Sequence, residues 1–289
     1  MNEAKKTNYL MLAGVLFSIA IIAYAWANPI QKPIASNLES NIGKQFANQV
    51  ELPIVWGNLG VQMISAGIID GEKFESIYAT RGDLTNEVKE LLYESGNGNL
   101  KISEKNSGLI LNLLWALGLG NKNKILEEGP MMDSQFGGAD KFASTGGWSL
   151  SSGEVMEHYG KHNLIVLTEK QQALVEKVSK NIYRPCCDNA TYFPDCNHGM
   201  AMLGLLELLA SQGVNEDQMY KEALRVNSLW FPDTYLTIAK YLKEKKNINW
   251  ADADPKEILG YNYSSSSGYK NILSQVTPPE TQSGGSCGI

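Results

Sequence analysis

The residues best suited to chemistry fall in one short segment, residues 186–198. Three of the four cysteines, Cys186, Cys187 and Cys196, lie there together with His198, one of the three histidines. A cysteine thiolate is both a nucleophile and a metal ligand, and neutral imidazole is the commonest metal ligand in proteins. Three interpretations follow for this segment: a metal site, structural disulfides, or a redox-active thiol pair.

The metal interpretation has zinc or copper as the expected cofactor, because soft thiolate and imidazole ligands select such ions. Met200 and Met202 would suit copper, but both also fit the core of an apolar helix. The paired C-x₂-C spacing of zinc fingers is missing. Cys287, near the C-terminus, would close the site as a further ligand or hand the ion over. The predicted ligand set is Cys186, Cys187, Cys196, His198 and Cys287.

The disulfide interpretation joins Cys196 to Cys186 or to Cys187, which closes a short loop, while Cys287 pins the tail to the remaining thiol. Such a chain would be a structural or interaction protein outside the cytoplasm, where oxidising compartments maintain disulfides. The redox interpretation lacks the usual C-x-x-C motif and βαβ surroundings. All three interpretations place Cys196 near the start of a helix, where the positive end of the dipole favours a thiolate.

Two further features have both a functional and a structural interpretation. His158 and His162 would share one face of a helix and could bind one ion, or they are ordinary histidines near a helix end. Glu207 is the only charged residue in an apolar helix predicted over residues 199–212. It is either a buried partner of the cysteine site or part of a face that meets water.

The composition excludes several classes of protein. The chain has 289 residues, and 31 Asp and Glu against 25 Lys and Arg give a net charge of −6, so the basic surface needed for nucleic acid is absent. A phosphate-binding loop, a dinucleotide fingerprint and a G-x-S-x-G elbow are also missing. The sequence therefore predicts no reaction and favours a protein that is not an enzyme.

The elements that would position the cysteines are predicted to be helices. Residues 109–119 and 199–212 are apolar almost all round, which is typical of buried helices. Ser151 with Glu154, and Thr168 with Gln171, fit the capping box that opens a helix. Because runs of strict alternation are not evident, the expected fold is an all-α domain.

The N-terminus predicts the compartment. Lys5 and Lys6 precede an apolar run over residues 9–27, which is long enough for a single membrane-spanning helix. It also fits a secretory signal, because Ala25 and Ala27 supply a small-x-small cleavage site. We expect the body to lie outside the cytoplasm in both cases. It would be anchored in the cell membrane by this helix, or secreted or periplasmic after cleavage behind Ala27. A protein partner in that compartment is a further expectation.

The chain is therefore predicted to have three parts. Residues 1–27 form the signal peptide or membrane anchor, and residues 28–263 form the helical extracytoplasmic domain. A boundary between two lobes is placed in the glycine-rich stretch near residues 128–149. Residues 264–289 are rich in Ser, Gly and Pro and are predicted to be a flexible tail that carries Cys287.

Overall fold

A computed structural model describes residues 49–81 and 84–279 of the chain, and this part is mostly helical. The helical prediction is confirmed in this form. The secondary structure in chain order is β1 Gln49–Gly57, α1 Leu59–Ser65, α2 Gly71–Arg81, α3 Asn86–Tyr93, β2 Asn97–Ser103, α4 Ser107–Gly120, α5 Lys124–Glu128, α6 Ala143–Gly146, α7 Glu169–Ser179, α8 Asn197–Ser211, α9 Glu216–Trp230, α10 Pro232–Tyr241, α11 Pro255–Ile258, α12 Tyr261–Ser264 and α13 Ser266–Leu273.

A two-stranded antiparallel sheet corrects the all-α expectation. Gln49 of β1 pairs with Ser103 of β2, and Gly57 pairs with Asn97 at the other end. Every second side chain of β1, from Val50 to Trp56, is buried, and the alternate residues are exposed. This is the period-two pattern of a strand with one face on the core. The alternation is present in the sequence, and the all-α expectation overlooked it.

Two buried helices, α4 and α8, cross at very short range in the centre of the fold. Every α4 residue from Leu109 to Gly120 is buried, and so is every α8 residue from His198 to Ala210. A Cβ built on Gly118 would lie 2.1 Å from the main-chain oxygen of Met200. The two backbones are therefore in contact, and only glycine fits at Gly118. The predictions of buried helices over residues 109–119 and 199–212 are confirmed.

Part of the predicted flexible tail is folded. Within residues 264–289, Ser264 and Ser265 are fully buried, and the Ser265 side chain caps α13 by accepting from the Gly268 N–H. The expectation of flexibility was wrong for these residues, because the serines act as helix caps and hydrogen-bond donors rather than as linker. Residues 280–289, which include Cys287, lie outside the described residues.

The predicted N-terminal signal or anchor over residues 9–27 also lies outside the described residues. Within residues 49–81 and 84–279, no helix is both long enough and apolar enough to span a membrane. The glycine-rich stretch near residues 128–149 contains short 3₁₀ turns and α6, with Trp148 buried at its end. A lobe boundary there stays a prediction.

Candidate metal centre

The cysteine segment links the end of α7 to the start of α8. Cys196 is the N-cap residue of α8, and its Sγ accepts a hydrogen bond of 3.4 Å from the Gly199 N–H. The free N–H groups and the positive dipole end of a helix stabilise negative charge at this position. The prediction that Cys196 lies at a helix start is confirmed.

Arg184 organises the loop that carries the cysteines. Its side chain is buried, at 1% exposure. Its Nε donates to Cys196 Sγ at 2.9 Å, and its Nη1 donates to the Asn189 carbonyl oxygen at 2.8 Å. Its Nη2 donates to the Phe193 carbonyl oxygen and forms an ion pair with the Asp195 carboxylate. One guanidinium thus fixes the loop backbone and places a positive charge against the Cys196 sulfur.

Three soft ligand atoms meet beside Arg184. Cys186 Sγ lies 3.6 Å from Cys196 Sγ and 4.0 Å from His198 Nδ1. One ligand atom from each of these residues lies within 4.8 Å of the others. Two sulfurs at about 2.3 Å from a tetrahedral Zn²⁺ would be about 3.8 Å apart. The observed separation of the two sulfurs is therefore close to that of a zinc site.

Cys187 belongs to a second, less favourable group with Asp195 and Cys196, whose ligand atoms also lie within 4.8 Å of one another. The Asp195 oxygens are already engaged, because Oδ1 accepts from Arg184 and Oδ2 accepts from Asn189 Nδ2 at 2.8 Å. An ion bound to this group would compete with the pairing of buried Arg184. The structure thus brings four of the five predicted ligands together, and Cys186, Cys196 and His198 form the better set.

Neighbouring charges and thiols shift the pKa values of Cys196 and Cys186 in opposite directions. The contact with the Cys186 sulfur, together with the positive charge of Arg184, holds the pKa of Cys196 well below its usual range. Contacts with the Cys187 and Cys196 sulfurs raise the pKa of Cys186. These shifts favour negative charge on Cys196 and a proton on Cys186. A bound cation would displace the remaining proton.

Aromatic rings at the C-terminal end of α9 hold His198 in place. Its ring centroid lies 4.5 Å from that of Phe231 and 5.9 Å from that of Trp230. Its Nδ1 also lies 3.0 Å from Asn197 Oδ1, and an ion bound at Nδ1 would replace this contact. A histidine ligand with a fixed ring is characteristic of metal sites whose outer contacts orient the ligands.

A cavity of about 750 Å³ adjoins the three candidate ligands. Cys186, Cys196 and His198 line it together with the apolar side chains of Ile77, Trp115 and Ala143. These apolar residues belong to α2, α4 and α6, far from the cysteines in sequence. Sequence reasoning missed them, and it also missed the contact of Arg184 with Cys196. The only sequence signal for Arg184 was its closeness to Cys186.

The described part of the chain contains no disulfide. Cys186, Cys187 and Cys196 are free thiols, and no pair of their sulfurs is at bonding distance. The disulfides expected as one alternative are therefore without support among these residues. Met200 and Met202 are both in the hydrophobic core, which agrees with the structural interpretation of their role.

The other two candidate features lie elsewhere. His158 follows a 3₁₀ turn rather than lying within an α-helix, and its Nδ1 is 3.1 Å from His162 Nε2 with the rings stacked. Burial, together with the His158 charge, lowers the pKa of His162. Glu207 is fully buried and accepts hydrogen bonds from Asn121 and Asn123. The water-facing interpretation of Glu207 was therefore wrong, and its burial is confirmed. Its hydrogen-bond partners are these asparagines rather than the cysteine site.

Comparisons with protein-family models, with curated proteins and with solved structures found no match to this chain.

Proposed function

We propose that this protein binds one soft metal ion through Cys186, Cys196 and His198. The observation that carries the proposal is the convergence of two sulfurs and one imidazole nitrogen within 4.8 Å of one another at the edge of a cavity. These ligand types select zinc or copper rather than calcium or magnesium, which prefer oxygen.

Charge favours Zn²⁺ over Cu(I). Arg184 contacts the Cys196 sulfur, but it also forms an ion pair with Asp195, so the two residues together add no net charge to the site. Two thiolates and Zn²⁺ are then neutral together, whereas two thiolates and Cu(I) leave one negative charge in a partly buried site. Because an uncompensated charge away from water is costly, we expect zinc to be the ion.

Three protein ligands leave the fourth tetrahedral position free for another group. Zinc sites with three protein ligands usually hold water or substrate in the fourth position, whereas structural sites are closed by a fourth side chain. The cavity next to the three ligands provides room for such a group. Cys287 is the side chain in this chain that would close the site instead.

The proposed setting is outside the cytoplasm. The apolar run over residues 9–27 supports a membrane anchor or an exported chain cleaved after Ala27. In this setting the protein would acquire its ion from the extracytoplasmic medium or from a protein partner there.

Zinc titration of the reduced, metal-free full-length chain tests the proposal. Detergent is needed because of residues 9–27. We expect one zinc per chain by elemental analysis. Cu(I) should bind through the same three ligands, with a different affinity. Loss of an outer contact of a metal site costs roughly 10- to 100-fold in affinity, so loss of a ligand should cost more than about 100-fold. Cys186→Ser and Cys196→Ser should therefore both abolish tight binding.

Cys187→Ser is the matched control, because it removes a thiol next to the site that is outside the chosen ligand set. It should retain one zinc with affinity within a few-fold of the parent. No bound metal in the parent, or an equally large loss in Cys187→Ser, would contradict the proposed site.

A further inference from the structure

The two sulfurs of the site differ in a way that metal binding does not require. Cys196 Sγ receives hydrogen bonds from Arg184 Nε and from the Gly199 N–H, and both contacts stabilise negative charge on this sulfur. Cys186 lies on the exposed loop with its Sγ 3.6 Å away. This is the arrangement of a charge-stabilised nucleophile beside a second, exposed thiol.

The cavity gives a small oxidant access to the nucleophile. Cys196 lines the cavity, and Ile77, Trp115 and Ala143 form an apolar part of the wall. Cys196 is itself partly exposed. A reactant with an apolar body and a polar reactive end would fit this space, with the reactive end against Cys196.

We propose that Cys196 and Cys186 form a two-electron redox couple that reduces an organic hydroperoxide and ends as a Cys186–Cys196 disulfide. In the first step the Cys196 thiolate attacks the terminal oxygen of the hydroperoxide. The S–O bond forms, the O–O bond breaks, and the alkoxide leaves and takes a proton to become the alcohol. Cys196 is now a sulfenic acid.

In the second step Cys186 sulfur attacks the Cys196 sulfur. The S–S bond forms, the S–O bond breaks, and the hydroxyl group leaves as water with the proton of Cys186. The two thiols have lost two electrons, and the peroxide has gained them. The sulfurs approach by rotation of the exposed Cys186 side chain, since Cys196 is held by Arg184.

The couple also bears on metal binding, and this consequence rests on the proposed function. The disulfide removes two of the three ligands, so peroxide should release the ion from the loaded protein. The redox step itself needs no metal and is tested without it.

The test uses the reduced full-length chain in detergent with a chelator and one equivalent of cumene hydroperoxide. After alkylation of the remaining thiols, a protease that cleaves before Asp188 and Asp195 separates Cys196 from Cys186 and Cys187. We expect linked peptides in the mass spectrum and one molecule of 2-phenyl-2-propanol per disulfide. Cys196→Ser should slow alcohol formation at least tenfold.

The matched pair of variants identifies the second sulfur. Cys187→Ser should keep the linked peptides, and Cys186→Ser should slow their formation at least tenfold. Linkage lost in Cys187→Ser, or alcohol formed as fast in Cys196→Ser as in the parent, would overturn the redox couple. If the chain binds zinc but its thiols do not react with the hydroperoxide, the redox couple is wrong and the proposed function remains. If the disulfide forms but zinc does not bind, the proposed function is wrong and the redox couple remains.

Discussion

At the scale of single residues, the chemistry of this site depends on how a buried guanidinium is held. Arg184 contacts the Cys196 sulfur, two loop carbonyl oxygens and the Asp195 carboxylate. Its planar group presents several donors in fixed directions, which a lysine could not reproduce. The position of Cys196 relative to Cys186 and His198 therefore depends on this one side chain.

Gly199 is the residue against which the guanidinium packs. A Cβ at Gly199 would lie 2.6 Å from Arg184 Cζ, so Gly199→Ala must displace either Arg184 or the first turn of α8. We expect the variant to fold with a loss of about 1–3 kcal/mol from overpacking. We also expect zinc affinity to fall about 10- to 100-fold, because an outer contact of a ligand is disturbed.

Unfolding by denaturant and zinc titration measure the two effects separately. Gly108→Ala near the start of α4 is the matched control, since nothing lies within 4 Å of its added Cβ. This control should keep zinc affinity and gain up to about 1 kcal/mol from better helix propensity. Unchanged affinity in Gly199→Ala would show that the Arg184 contact does not support the site.

At the scale of elements, the crossing of α4 and α8 brings the cysteine segment to the cavity. Trp115 of α4 lines the cavity, and Cys196 and His198 stand at the beginning of α8. The helices approach at Gly118 and Gly204, and a Cβ on Gly204 would lie 2.4 Å from the Leu114 main-chain oxygen. Main-chain atoms cannot rotate away, so a larger residue must push the helices apart.

Gly118→Ala should therefore be costly. We expect it to lower the free energy of unfolding by about 3 kcal/mol, at the upper end of the usual cost of overpacking. The same substitution at Gly108, on the same helix, should be neutral or stabilising. Denaturant unfolding of the two variants measures the difference, and equal stabilities would refute the close approach of the two helices.

The elements that sequence reasoning predicted well are those set by local pattern. The capping box of Thr168 and Gln171 is present at the start of α7. Ser151 fits the same pattern, but its hydroxyl donates to the Gly153 carbonyl oxygen and no α-helix begins there. A local pattern permits a cap, whereas surrounding packing decides whether the chain uses it.

The features that could not be predicted from the sequence, the pairing of the two strands and the cavity wall, depend on contacts between distant segments of the chain. The alternation of β1 was overlooked in the sequence, and its pairing with β2, a separate segment of the chain, has no local signal. The Cys and His ligands fall within one short segment, which made the site visible in the sequence. The cavity wall at Ile77 and Trp115 comes from other helices, and no spacing rule connects those residues to Cys196.

At the scale of the whole molecule, a buried polar network ties three parts of the chain together. Glu207 of α8 accepts from Asn121 and Asn123, which lie between α4 and α5, and Asn123 Oδ1 accepts from Gln172 of α7. Burial raises the pKa of Glu207 to about 8, and the two asparagine donors reduce this shift. A carboxyl that titrates at about pH 4.5 when unfolded therefore stays protonated in the folded protein to much higher pH.

The stability of the molecule should consequently fall as the pH rises through this interval. Below about pH 4.5 the carboxyl is protonated in both states, and above about 8 it is ionised in both, so it adds no pH dependence there. Between these limits unfolding releases a proton, and the free energy of unfolding should fall by up to about 1.4 kcal/mol per pH unit. Denaturant unfolding of the full-length chain from pH 5 to 9 measures this slope.

Glu207→Gln isolates the contribution of this carboxyl. The amide cannot ionise. The free energy of unfolding of the variant, relative to that of the parent, should therefore rise steadily from pH 5 to 8. A constant loss of about 1–3 kcal/mol is expected in addition, because the amide N–H₂ faces an asparagine donor. Glu104→Gln makes the same replacement at an exposed glutamate and should give a curve parallel to the parent. A Glu207→Gln curve that is also parallel would mean that Glu207 is ionised in the folded protein at pH 5. The two asparagines would then stabilise a buried carboxylate rather than a carboxylic acid.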